Sequence, residues 1–157
     1  MRKIAIALLS IGLLACASKK ESEKSAKNVK ESKENIISAN ARTGEFAKEN
    51  DPFTIDTAYI KGNQLFVDVT FGGGCKDHNF ELIGSPMIAK SYPAQRAIQL
   101  VHSANGDNCK ALVKKTVQVD VSTLTDNQKE GHVIHYNLDG YKPRLEHTYV
   151  KAEKAKP

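Results

Sequence analysis

A chain of 157 residues allows one ordinary domain with accessory segments, and its net charge of +5 invites a nucleic-acid reading that the distribution of charge excludes. Residues 17–50 hold eight Lys/Arg against six Asp/Glu and residues 151–157 three Lys against one Glu, but residues 51–150 hold ten basic against eleven acidic residues. The basicity therefore belongs to the ends and makes no patch on the domain. The absence of tryptophan also weakens any carbohydrate-stacking role.

The N-terminus opens on "MRK" and continues as "IAIALLSIGLLA". A positive start, then an apolar run shorter than the roughly 20 residues needed to span a bilayer, reads as an export signal over residues 1–15. The run ends in "LLAC", Leu13 to Cys16, which resembles the lipobox of bacterial lipoproteins. That resemblance covers only the first 16 residues. It implies cleavage before Cys16, acylation of Cys16 by chains such as palmitate, and a lipid bilayer as one partner. Two or more acyl chains hold stably, at about 0.8 kcal/mol per buried CH₂. Ala17 and Ser18 follow with no aspartate, which by the same resemblance implies the outer membrane of the cell envelope.

Residues 16–50 are rich in Lys, Glu, Ser and Asn and nearly free of large apolar side chains. Such a segment buries too little surface to offset chain entropy and reads as a polar tether. As a coil it spans roughly 30–35 Å. A helix within Lys24 to Ala39 is the competing reading, although no apolar stripe supports it.

From Asp51 the texture changes to period-two alternation. "FTIDTAYI" and "QLFVDVTF" flank "KGN" and predict a hairpin, with Leu65, Val67, Val69 and Phe71 on one face. "NFELIG" is a further strand. "SPMIAKSYPAQ" is broken by Pro86 and Pro93 and predicts a loop or edge strand. "RAIQLVHS" and "CKALVKKTVQVDVS" flank "ANGDN", whose Asn-Gly predicts a second hairpin. "HVIHYNLDG" and "RLEHTYV" close the series, and residues 151–157 form a basic tail. About seven short strands over residues 51–150, with no long helical pattern, predict an all-β domain. The simplest form is a small antiparallel β-sandwich of immunoglobulin-like type, and the alternative is a small β-barrel.

With Cys16 assigned to lipid, Cys75 and Cys109 remain for an oxidising compartment. Both sit at turn-proximal strand ends, which suits a structural disulfide. An alternative metal site draws on Cys75, His78, His102 and Cys109, the elements of a tetrahedral Cys₂His₂ centre. Residues three apart on a strand face opposite ways, so Cys75 and His78 converge only if the chain curls between them. A redox pair lacks both C-x-x-C and a helix N-terminus. Gly72 to Gly74 read as a bulge or a close backbone approach rather than a phosphate loop. His132 and His135, also three apart, read as rim residues.

No G-x-S-x-G, H-E-x-x-H or P-loop pattern is present, no cofactor is implied, and no catalytic residue stands out. The expected function is a non-catalytic binding or assembly module of the envelope, with an unknown envelope protein or ligand as partner. Metal binding and inhibition of an envelope or secreted hydrolase are the alternatives. The loop around Ser85, Pro86, Tyr92 and Pro93 is the candidate partner-binding element.

Overall fold

The computed structural model describes residues 35–151, so the signal segment, Cys16, most of the tether and the end of the tail lie outside the described residues. The strands are β1 (Ile36–Thr43), β2 (Phe53–Lys61), β3 (Gln64–Gly73), β4 (Asn79–Ala89), β5 (Ala94–Ser103), β6 (Ala111–Asp120), β7 (Val133–Leu138) and β8 (Leu145–Thr148). A short 3₁₀ turn, Ser122–Leu124, joins β6 to the loop before β7.

The alternation seen in the sequence is realised where it is strongest. β2 and β3 form the expected antiparallel hairpin, closing from Phe53↔Phe71 to Lys61↔Gln64. Leu65, Val67, Val69 and Phe71 point into the core, where Leu82, Ile98, Leu100, Val117, Ile134 and Tyr136 meet them. Full burial of one such side chain is worth about 1.5–3 kcal/mol, so this inward face is the main source of stability.

The layering differs from the expected antiparallel sandwich. All eight strands belong to one mixed sheet of order β2-β3-β6-β1-β4-β5-β7-β8. The pairs β1–β4, β1–β6 and β5–β7 are parallel. The two terminal strands, β2 and β8, come into contact, so the sheet nearly closes on itself in a barrel-like form. Closure removes exposed edges, which an open sheet must otherwise protect.

The domain also begins earlier than Asp51. β1 lies inside the segment read as tether, and Ile36 to Ala39 are strand rather than helix. Ile37, Ala39 and Ala41 face inward and pack on the core. After β1 the chain stays attached to β5. Ala47 N donates to Gln99 Oε1 at 2.8 Å, and Asn50 Oδ1 accepts from His102 N at 2.8 Å. The small inward residues of β1 are enough because its backbone is paired along its whole length, Ile36–Ala39 with β6 and Asn40–Thr43 with β4.

Two turn readings change as well. Asn105 and Gly106 adopt the expected positive φ, 53° and 67°, and Asp107 N closes the turn onto Ala104 O at 3.0 Å. The flanking strands nevertheless diverge, β5 to β4 and β7, β6 to β3 and β1, so no hairpin forms. Pro86 lies within β4, at the register shift between Gly84 and Ile88 against β5. A residue without an N–H is accommodated there because the ladder is interrupted.

A chain starting at Asp51 should fail to show a cooperative thermal transition, whereas one starting at Glu34 should melt like the full chain. Circular dichroism on the two truncations measures this. Equal melting would mean that β1 is dispensable.

Candidate functional site

Two regions gather the chemistry-bearing residues. The first is the corner where the β3–β4 turn meets the β5–β6 turn. Cys75 and Cys109 are joined there by a disulfide, with Cα atoms 5.9 Å apart across 34 positions of chain. The bond joins the β3–β4 turn to the β5–β6 turn.

Asp107 organises this corner. Its Oδ2 accepts from Cys75 N at 2.9 Å and Lys76 N at 3.0 Å, and its Oδ1 accepts from Cys109 N at 2.9 Å. These backbone N–H groups, that of Cys109 foremost, hold the Asp107 carboxyl well below the usual carboxylate range. The side chain of Asp107 is 1% exposed and that of His78, 3.2 Å away, is 3% exposed. Lys76 Nζ spans the same turns, donating to Asn105 O at 3.0 Å and Gly106 O at 2.9 Å.

The glycine run explains itself here. A Cβ on Gly73 would lie 2.5 Å from His78 Nε2, and Gly74 has φ of +105°. Position 73 therefore admits no side chain while His78 occupies its place, and position 74 has a backbone that L residues rarely adopt. The chain does curl between Cys75 and His78, which brings both onto Asp107.

His78 and His102 are brought together as well. His78 Nδ1 lies 2.8 Å from His102 Nε2, and His102 Nδ1 lies 3.3 Å from Asp51 O. Phe71 and Phe80 stack on the imidazoles. Burial foremost lowers the pKa of His102, favouring its neutral form. The row Asp107–His78–His102–Asp51 O thus has three links and an acceptor at each end.

The alternative Cys₂His₂ set is not assembled. The two sulfurs are bonded to each other, and His102 turns both ring nitrogens to His78 and Asp51. Among the described residues, the groups whose ligand atoms lie close enough for a shared ion are Cys75, Asp107 and Cys109. Asp107 was not legible as a site residue, because Asp in an Asn-Gly-Asp-Asn turn is ordinary. His132 and His135 pair separately, with Asp126 at 2.7 Å and Glu146 at 3.3 Å. His147 is completely buried, hydrogen-bonded through Nε2 to Asn63 Oδ1 at 3.1 Å and through Nδ1 to Tyr136 Oη at 3.3 Å.

The second region is the β4–β5 hairpin. Ser85 and Pro86 lie in the bulged end of β4, and Tyr92 and Pro93 form the tip. Tyr92 is fully exposed and Met87 is 81% exposed. The tip is nonetheless ordered by its own bonds: Ser91 Oγ donates to Pro93 O at 2.7 Å and accepts from Gln95 Nε2 at 2.9 Å. At its base, Arg96 Nη1 donates to Ser85 O at 3.0 Å and Thr43 Oγ1 at 3.3 Å. Beside the tip lies a cleft of about 470 Å³ bordered by Tyr92, Asp126, His132 and Glu146.

No family profile and no curated protein matches the chain. Among solved structures it is similar to a NigD-like immunity protein from Bacteroides caccae, at 16% identity and TM-score 0.51, over 69% of this chain and 58% of that one. It is also similar to a putative toxin-related protein from Parabacteroides distasonis, at 21% identity and TM-score 0.48, over 73% and 61% of the two chains. The chain therefore spans less than two thirds of either neighbour, and the likeness to the NigD-like protein is one of fold.

Cys75→Ala and Cys109→Ala should each lower stability by about 2–5 kcal/mol in denaturant unfolding, and the double variant by no more than either single. Additive losses would mean that the two side chains act separately. Burial foremost lowers the pKa of His147, so the unfolded chain binds its proton first as pH falls through the ordinary value of 6.5. Its contribution is present above that value and is lost below it. Unfolding at pH 7.5 and 5.5 should show a smaller stability difference for His147→Gln than for the wild type.

Proposed function

We propose that the protein is a lipid-anchored, non-catalytic binding module of the bacterial cell envelope, attached through Cys16 at the outer membrane, and that it engages a protein partner with the β4–β5 hairpin. The observation that carries this reading is Tyr92, a fully exposed aromatic side chain at the tip of a hydrogen-bonded hairpin. Aromatic anchors supply much of the energy of protein interfaces. A tip already held in place loses less entropy when it is bound. Met87 enlarges the apolar surface, and methionine adapts easily to a partner's shape.

The polar groups of the disulfide corner support the same reading. Asp107, Lys76 and Asn105 are engaged with backbone groups of the two turns. They hold the frame, and the hairpin offers surface that the fold does not use. The name of the Bacteroides caccae neighbour, a NigD-like immunity protein, is compatible with a non-catalytic binding role. The fold likeness leaves the partner's identity open.

A photo-reactive residue at Tyr92 in the membrane-anchored chain should crosslink one defined envelope or secreted protein, while the same residue at Thr70 should not. Tyr92→Ala should weaken binding of the captured partner at least tenfold without changing the melting temperature. Loss of melting temperature with unchanged affinity would assign Tyr92 to stability instead. Separately, Cys16→Ser should abolish acyl labelling and release the chain from the membrane fraction. A Cys16→Ser chain that still sediments with membranes would remove the lipid anchor from the proposal.

A further inference from the structure

The division of β1 between two neighbours leaves one stretch of the sheet without a strand beside it. β6 pairs with β1 from Thr116 to Val119, and β1 begins at Ile36, with Asn35 already in a turn. Among the described residues, residues 111–115 of β6 therefore have a strand neighbour on the β3 side alone. Thr116 N donates to Asn35 O at 2.9 Å and so points away from β3. Backbone groups of successive strand residues face opposite sides, which turns the N–H and C=O of Leu112 and Lys114 to the same open side as those of Thr116. That side borders a cleft of about 600 Å³ lined by the apolar side chains of Ile37, Phe71 and Val113, with Lys76 and Asp77 across from β6.

We propose that this seam docks an extended segment of a partner protein, which adds as a strand along residues 111–115 of β6 with an apolar side chain beside Val113 and an acidic one beside Lys114. The contact is independent of the β4–β5 tip.

The main chain sets the shape of the occupant. A row of N–H and C=O groups on an open edge is what an added strand satisfies, and pockets for alternate side chains then give selectivity. The neighbouring side chains set its chemistry. Residues side by side on adjacent strands interact as pairs, and β1 shows the local pattern, with Ile37 beside Val117 and Ala39 beside Val119 on the inward face. Carried back along β6, the pattern places an inward side chain beside Val113, over Phe71 and Ile37, and an outward one beside the exposed Lys114. An apolar group suits the first place and a carboxylate the second. Asp56 and Asp68 border Lys114 on the outer face, and their carboxylates accept from Thr70 Oγ1 and Thr116 Oγ1, both at 2.6 Å. A second copy of this chain is the poorer occupant. Its own β6 would bring Lys110 and Lys114 to an edge that already carries them, and lysine on an edge opposes the pairing of like with like.

The test uses the purified full chain, residue-resolved amide hydrogen exchange, and two synthetic heptapeptides that alternate valine with glutamate or valine with lysine. In the free chain the amides of Leu112 and Lys114 should exchange at least tenfold faster than that of Val113, which points to β3. The valine–glutamate peptide should slow both, and should bind at least tenfold tighter than the valine–lysine peptide. Lys114→Pro removes one edge N–H and should weaken the first peptide at least tenfold. The melting temperature should stay within a few degrees, because proline is tolerated where the N–H faces out of the sheet. Lys114→Glu keeps the backbone intact and should reverse the preference between the peptides, which keeps the test open if the proline variant does not fold. Tyr92→Ala should leave both affinities unchanged. Amides of Leu112 and Lys114 as slow as that of Val113 in the free chain would mean that the chain fills the seam itself, and would overturn the proposal. So would failure of both peptides to bind at millimolar concentration, equal affinity for the two, or unchanged affinity in a folded Lys114→Pro.

Discussion

Strand β1 gives Ile36–Ala39 to β6 and Asn40–Thr43 to β4, and the closure of the sheet depends on that division. Without it, β6 with β2 and β3 would form one small sheet, and β4 with β5, β7 and β8 another. Each would leave an unpaired row of backbone groups at the break, which costs far more than the side chains of a short polar strand can return. The backbone of β1, rather than its side chains, makes one sheet from two. The parallel pairing on both sides follows from this position, because the chain must cross over before each neighbour is laid down.

That constraint explains what could and could not be read from the sequence. The β2–β3 hairpin was legible because Leu65, Val67, Val69 and Phe71 alternate with polar residues across a Gly-containing turn. All-β character and the inward valines of β6 were legible for the same reason. β1 was hidden because its inward residues beyond Ile37 are alanines, set in a stretch dominated by Lys, Glu and Ser. Single-sheet closure was hidden because partners such as Ile37 and Val117 lie far apart in the chain, and pairing at that distance leaves no local pattern. The Asn105-Gly106 turn shows the limit of local chemistry. Its backbone has the positive φ that the residues favour, yet the strands it joins belong to different neighbours.

The candidate site divides in the same way. The pairing of Cys75 with Cys109 was legible by elimination and compartment; the segment that holds Tyr92 was singled out by its two prolines alone, and the exposure of Tyr92 is visible only in the structure. Asp107 was not, because its role depends on three N–H groups from two separate turns meeting at one carboxylate. No sequence motif marks His147, which is wholly buried against Tyr136. A histidine near a chain end declares nothing about burial until the sheet closes over it. The signal that could have exposed the corner was the glycine run beside a cysteine, where the expected close approach proves to be that of the His78 side chain to Gly73.

The corner and the hairpin answer different demands on one small domain. A sheet of this size buries a single modest core, so cross-links at its corners matter more than they would in a larger protein. The Asp107 carboxylate sets two turns against each other through backbone donors, and the disulfide limits how far they separate in the unfolded chain. Nearly every polar group there is spent inside the fold. The β4–β5 hairpin reverses that economy: its polar groups order the tip, and its apolar groups, Tyr92 and Met87, face solvent. Leaving them exposed gains the isolated domain nothing by way of hydrophobic burial. Their exposure on an ordered tip is the feature on which the proposed partner contact rests, and it lies at the end of β4 and β5 opposite to the disulfide corner.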